Sequence, residues 1–222
     1  MNVEEIIRQL VKGNRHFTKH HAGDYFEAIK MKQNPYITLV TCSDSRVPLN
    51  ALIPDTSNKI FSIQNIGNQI LSTEGSVDYG IYHLKTPVLL FLGHSDCGAI
   101  RAYLKGFDSE SDGIRHELDF MRPVIHSFRT DVPFEKLHNQ IIEMNLDYQV
   151  NIACKKYREL VHEGKLTVIG AYYDFRGEFG KGFGKIVFVN VNRYKTENEL
   201  KNLDIFKLLS VRERSEYIGR LE

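Results

Sequence analysis

The sequence predicts an α/β protein built on a mostly parallel central sheet flanked by helices, with an N-terminal helical arm. Three observations predict it. Strand-like and helix-like segments alternate along the chain, the pattern of parallel strands joined by crossover helices. The run Val88–Gly93 is apolar up to its closing glycine, as a strand covered on both faces requires. The two segments richest in reactive side chains each follow a predicted strand directly, where ligands bind in such sheets. At 222 residues the chain fits one domain, 1–222, with 1–34 as the arm and 196–222 as a C-terminal helical segment.

The elements follow in order. Ile6, Leu10, Gly13 and Phe17 recur at helical spacing and predict an amphipathic helix ending near Gly13. Tyr36–Thr41, rich in β-branched and aromatic residues, reads as a buried strand running into Cys42-Ser43-Asp44-Ser45-Arg46. Lys59–Gln64 is a second strand, followed by the turn-like Asn65-Ile66-Gly67-Asn68. Val77, Ile81 and Leu84 predict a helix over Ser72–Leu84. Val88–Gly93 then delivers His94-Ser95-Asp96-Cys97-Gly98. Leu137, Ile141, Met144, Tyr148 and Ile152 mark a long helix through about Leu160. Leu166–Phe175 and Ile186–Val191 are further strands, separated by the glycine-rich Gly177–Gly184. From Thr196 the chain is mixed in charge and reads as helix packed outside the core.

Composition excludes several classes of function. The 29 Lys and Arg against 28 Asp and Glu give a formal charge of +1, which leaves no excess to displace counterions from nucleic acid. The longest purely apolar run, Val88–Leu92, falls far short of the roughly 20 residues that span a bilayer. The first residues carry acids early and do not read as a secretion signal. Three cysteines are too few for a disulfide scaffold, so a reducing, cytoplasmic setting is expected, where such residues serve as metal ligands or reactive thiols.

Cys42, His94 and Cys97 form the candidate metal set. Two thiolates and an imidazole suit zinc, and the spacing of His94 and Cys97 lets one turn aim both at a single point while Cys42 comes from another strand end. The set stops at three, which favours an open site holding water over a closed structural one with four protein ligands. Taken singly, Cys42 reads as a small core residue and His94 as a satisfied core histidine; their joint appearance at two strand ends points to metal. Asp44 and Arg46 can pair beside the metal, the guanidinium keeping the carboxylate ionised and aimed. Alone they read equally as a turn cap and a surface ion pair. Asp96 reads as a turn cap, with a ligand role as the alternative. Cys154 reads as packing, and His16, His20 and His21 as a solvated cluster. Zinc brings the pKa of bound water toward neutrality, and a hydroxide formed there is a nucleophile. Two thiolates donate more charge than two imidazoles, so activity is expected to fall at acidic pH.

These motifs, in this order and separation, resemble those of the β-class carbonic anhydrases. The resemblance extends to Leu10–Phe17, Asn145–Val150 and Gly170–Phe175, so it covers most of the chain. It implies zinc-dependent, reversible hydration of carbon dioxide to bicarbonate and a proton. Cys42, His94 and Cys97 would hold one Zn2+ per subunit, and Asp44 with Arg46 would form the orienting dyad. Asp44 would bind the zinc itself in the closed state that some members adopt. Gln33, Phe61 and Tyr79 match a plant-type substrate pocket, with Gly98 placed beside them in substrate binding; read without the resemblance, the first three are packing or chain-end residues. The resemblance also implies a homodimer or higher even-numbered oligomer, with pocket residues crossing the interface and the N-terminal helix as an arm.

One departure from the family pattern is Gln64, which stands where many members have an arginine of a secondary bicarbonate site. The other is the Gly177–Gly184 run. Rival readings are hydrolysis of carbonyl sulfide or carbon disulfide at the same centre, a non-catalytic structural zinc, and a metal-free thiol enzyme using Cys97.

Overall fold

A computed structural model describes residues 1–125 and 132–221. The chain divides into two compact units, Met1–Asn34 and Pro35–Glu222; Glu222, which ends the C-terminal segment, lies outside the described residues. The first unit holds α1 (Val3–His20) and α2 (Gly23–Ile29). Helix α1 opens with a capping box, in which the Asn2 side chain accepts the Glu5 N–H and the Glu5 carboxylate accepts the Asn2 N–H. It runs on through Gly13 instead of stopping there, because a single glycine costs only about 1 kcal/mol against alanine. None of its residues is buried, and Ile6, Ile7, Leu10, Val11 and Phe17 all stand exposed.

The second unit is a five-stranded sheet in the order β2-β1-β3-β4-β5. Its strands are β1 (Ile37–Cys42), β2 (Ile60–Asn65), β3 (Val88–His94), β4 (Thr167–Asp174) and β5 (Lys185–Val191). The first four are mutually parallel where paired, and β5 runs antiparallel along β4. The predicted Ser72–Leu84 helix is a composite. A 3₁₀ turn (Leu71–Thr73) leads into α3 (Glu74–Asp78), and a π-helical turn (Tyr79–His83) completes it. Gly80 fits there because a Cβ would stand 2.2 Å from Thr38 Oγ1 of β1. After β3 come α4 (Gly98–Lys105), α5 (Asp112–Asp119) and α6 (Arg122–Ile125). The predicted long helix is α7 (Phe134–Lys156), broken at Tyr157 from the short α8 (Arg158–His162). The C-terminal segment forms α9 (Glu197–Lys201) and α10 (Val211–Tyr217); Leu200, Phe206 and Ile218 pack with Val191 into a small cluster of their own. No helix among the described residues is long and apolar enough to cross a membrane.

Strands β1 and β3 lie in the middle of the sheet, which explains their unbroken apolar character. Val40 and Phe91 face the main core with Ile142, Leu146 and Val150 of α7, while Leu39, Leu90 and Leu92 face a second cluster. Because β2 flanks β1 on one side and β3 flanks it on the other, the C-terminal ends of β1 and β3 bound the crevice where such sheets take ligands.

Helix α7 also carries a buried acid. Glu143 meets Arg220 Nε at 3.1 Å and the Leu221 N–H at 3.2 Å, while Arg220 forks onto Asp147 at 2.9 and 3.0 Å, tying the chain's end to the helix. Burial pushes the Glu143 carboxyl up to about 7, against the opposing charge of Arg220. Between about pH 4.5 and 7 the folded chain therefore keeps a proton that the unfolded chain has released, and stability falls as pH rises through that window. Urea denaturation of Glu143→Gln should show a smaller stability loss between pH 5 and pH 8 than the parent protein; equal losses would assign the pH dependence to other groups.

Candidate metal centre

The sheet register builds the centre. Thr41 pairs with Leu92, so Cys42 at the end of β1 comes beside the end of β3, where His94 stands. Cys97 follows on a turn whose Asp96 takes a left-handed φ of 53°, and it caps α4, with its sulfur toward the Ala99 and Ile100 N–H groups. Cys42 Sγ, a His94 ring nitrogen and Cys97 Sγ all lie within 4.8 Å of one another. The three residues are 4%, 0% and 1% exposed.

His94 places its Nδ1 2.8 Å from the Ser95 carbonyl, which fixes the proton on that nitrogen, and its buried Nε2 has no hydrogen-bond partner. The two thiols shift in opposite directions. The Cys42 sulfur, facing the Cys97 S–H and His94, is pulled well below the ordinary thiol range, and Cys97 is driven up by its hydrogen bond to Cys42, by burial and by the Cys42 charge. A pair that releases one proton readily and retains the second, beside a bare imidazole nitrogen, is a donor set that a divalent cation completes. These residues fit zinc, and the structure brings together the three that the sequence singled out.

Asp44 and Arg46 are brought together. Arg46 donates from Nε at 2.9 Å and Nη2 at 2.7 Å to the two Asp44 oxygens, and its backbone N–H adds 2.9 Å. Arg46 also donates to Asp96 Oδ2 at 3.0 Å and to its carbonyl at 2.9 Å, so one guanidinium bridges both motifs. Asp44 Oδ2 stands 3.9 Å from His94 Nε2. The Arg46 hydrogen bonds hold the Asp44 carboxyl at about 2.

Four predicted substrate residues are placed differently. Gly98 opens α4 beside Cys97, exposed, with open space where a side chain would stand. Gln33 belongs to the N-terminal unit and is exposed. Phe61 and Tyr79 touch each other, ring centroids 5.7 Å apart, but Phe61 pairs with Thr38 while Cys42 pairs with Asn65. Four steps of strand, about 13 Å, separate the aromatic pair from the metal set of its own chain.

Sequence reasoning missed the polar support. His138 of α7 donates from Nε2 to the Cys97 carbonyl at 2.9 Å. Asn145 donates to the Gly67 carbonyl at 3.0 Å, steadying the turn whose Gly67 N–H reaches Cys42. Gln149 Oε1 accepts the Ile70 N–H at 3.0 Å. All three sit on one face of α7, a face that reads by period alone as ordinary core; their polar character at core positions was the available signal. Arg101 grips Asp96 and reaches Glu135 at 3.0 Å, extending the charge chain from Arg46.

Fold and centre together define an α/β protein with a mostly parallel sheet that carries a buried thiol–imidazole candidate metal site at its switch point. The chain belongs to the β class of the carbonic anhydrase family, whose model matches residues 37–179. A carbonic anhydrase of Synechococcus elongatus is 29% identical over 187 residues, spanning 76% of this chain and 68% of that protein. One from Helicobacter pylori is 38% identical over 85 residues, but the match spans only 34% of this chain and 38% of that one. The tetrameric β-carbonic anhydrase of Sordaria macrospora superposes with a TM-score of 0.70 at 21% identity, covering 85% of this chain and 98% of that one, a likeness of fold.

Asp44 supplies a direct check of the dyad. Its depressed pKa stabilises the fold above about pH 3.8, and that contribution is lost as pH falls toward 2. Arg46→Gln should move the Asp44 carboxyl up from about 2 toward 3.8 in a carbon-13 NMR titration; an unmoved midpoint would mean that another group holds it down.

Proposed function

We propose that this chain catalyses the zinc-dependent, reversible hydration of carbon dioxide to bicarbonate and a proton. The observation that carries the reading is the buried triad of two thiols and an unpartnered imidazole nitrogen within 4.8 Å, in a chain of this family. Cys42, His94 and Cys97 would hold one zinc ion per subunit. When bound, zinc supplies a Lewis acid that makes a hydroxide nucleophile available from water near neutral pH. A cytoplasmic, reducing setting suits the two thiols of the triad.

The chain's own residues then have distinct parts. Asp44, ionised down to about pH 2, can only accept hydrogen bonds, so it would accept one from a water lying against the triad, without taking its proton, and turn a lone pair of that water toward the substrate. Arg46 keeps that carboxylate in place with both donors of its fork. Its grip also keeps Asp44 from serving as a fourth ligand, which favours the open, reactive arrangement over a structural metal. Phe175 covers one side, its ring 6.1 Å from His94 and 5.1 Å from the Arg46 guanidinium. Gly98 leaves the mouth clear for carbon dioxide to enter and bicarbonate to leave.

Phe61 and Tyr79 form an apolar wall too far from their own triad to line it, so in this reading they serve the site of a second copy. Strand β2 is the open edge of the sheet, with backbone groups available for such a partner. A homodimer or higher even-numbered oligomer follows, in keeping with the tetrameric Sordaria relative.

Stopped-flow hydration on protein of known zinc content, between about pH 6.5 and 9, should show a zinc-dependent rate that rises with pH. Full zinc with no hydration would overturn the substrate, and carbon disulfide would be assayed next. Asp44→Asn should retain zinc while losing about 100-fold in turnover; unchanged turnover would sink its role as acceptor. Light scattering should give an even multiple of the chain mass, and a strict monomer with full activity would exclude the shared pocket.

A further inference from the structure

The glycine-rich loop after β4 folds inward. Gly177, at φ 76°, turns the chain immediately before Glu178, and the Gly184 N–H closes the loop onto the Asp174 carbonyl at 2.7 Å. Asp174, fully buried, accepts the Glu178 and Phe179 N–H groups at 2.9 and 3.0 Å. The loop is therefore already anchored by Asp174. Yet the Glu178 side chain also turns in, with 10% of its surface exposed, to accept the hydroxyls of Tyr172 and, at 3.0 Å, of Ser95. Its second oxygen, Oε1, has no hydrogen-bond partner and stands 3.9 Å from Arg176 Nε. A carboxylate buried with one oxygen unbonded costs free energy. Loop closure alone does not require it.

Ser95 is the residue whose carbonyl holds His94 Nδ1. Its hydroxyl has one proton to give, contested by Glu178 and by Asp174 at 3.2 Å, and it accepts the Arg176 N–H at 3.3 Å. The Ser95 peptide is thus clamped from its side chain, and the direction of its carbonyl sets the tilt of the imidazole and the bare Nε2. We propose that Glu178 is a positioning residue of the metal centre, acting through Ser95 to hold His94 in its metal-binding orientation. Tyr172, buried behind it, steers the Glu178 carboxylate. This inference rests on the zinc reading above. It also gives the Gly177–Gly184 run a purpose, because a side chain that must reverse into the sheet two residues after Arg176 needs the left-handed turn at Gly177.

The test measures metal instead of turnover. Zinc affinity by chelator competition, and the visible spectrum of the cobalt-substituted protein, are compared for the parent, Glu178→Ala, Ser95→Ala and the double variant. Glu178→Ala should bind zinc about 10–100-fold more weakly and shift the cobalt bands. The double variant should bind no more weakly than Ser95→Ala alone, because both act along one path. Affinity within about twofold of the parent with unchanged bands, or penalties that simply add, would overturn the proposal. A parent protein that binds no stoichiometric zinc would instead overturn the metal reading itself. If Glu178→Ala does not fold, Tyr172→Phe carries the same comparison, with the same direction expected; loss of fold in both would assign Glu178 to folding alone.

Discussion

Two thiols and an imidazole held within 4.8 Å of one another, almost out of reach of water, set the terms for the rest of the structure. Burial of such groups is unfavourable unless each has a partner, and the bare His94 Nε2 faces the two sulfurs with no protein donor of its own. Everything next to them is accordingly tied down. Ser95 takes the histidine's second nitrogen, His138 takes the Cys97 carbonyl, and Asn145 steadies the turn that reaches Cys42. Of the three, His94 Nε2 is left with no other bond to make, and the neighbours hold all three in shape.

Charge is arranged around that centre in alternation. Asp44, Arg46, Asp96, Arg101 and Glu135 follow one another in contact, running from the triad out to the first turn of α7. Each arginine lies between two carboxylates, so neither acid next to the triad is free to swing. Arg46 is nearly half exposed, and solvent screening keeps its pair with Asp44 modest as a source of stability. Its value is geometric: a planar fork fixes both oxygens of a carboxylate, where a lysine would fix only a point.

The fold was legible wherever hydrophobic period and strand composition agreed. Strands β1, β3 and β4 stand within a residue or so of their predicted bounds, because Val, Ile, Leu and Phe runs ending in turn residues have few other solutions. The helix at Ser72–Leu84 was read correctly as helical, but not as a 3₁₀, α and π composite. That wind answers to the close approach of Gly80 to Thr38, a contact between segments far apart in sequence. The separation of Phe61 and Tyr79 from the triad of their own chain is likewise set by tertiary pairing. Side-chain identity matched a pocket, while strand register decides which pocket they can reach.

By itself the sequence determined the class of fold, the three candidate metal ligands and the Asp44–Arg46 pair, because ligand type and short spacing are local properties. Only the tertiary structure decided that β1 and β3 end side by side, that Arg46 bridges to Asp96, and that Glu178 turns inward to Ser95. Those contacts join residues about 50 to 80 positions apart, and no local preference of the chain encodes them. They exist because a parallel sheet gathers its strand ends along one edge, where loops distant in sequence must share the same space.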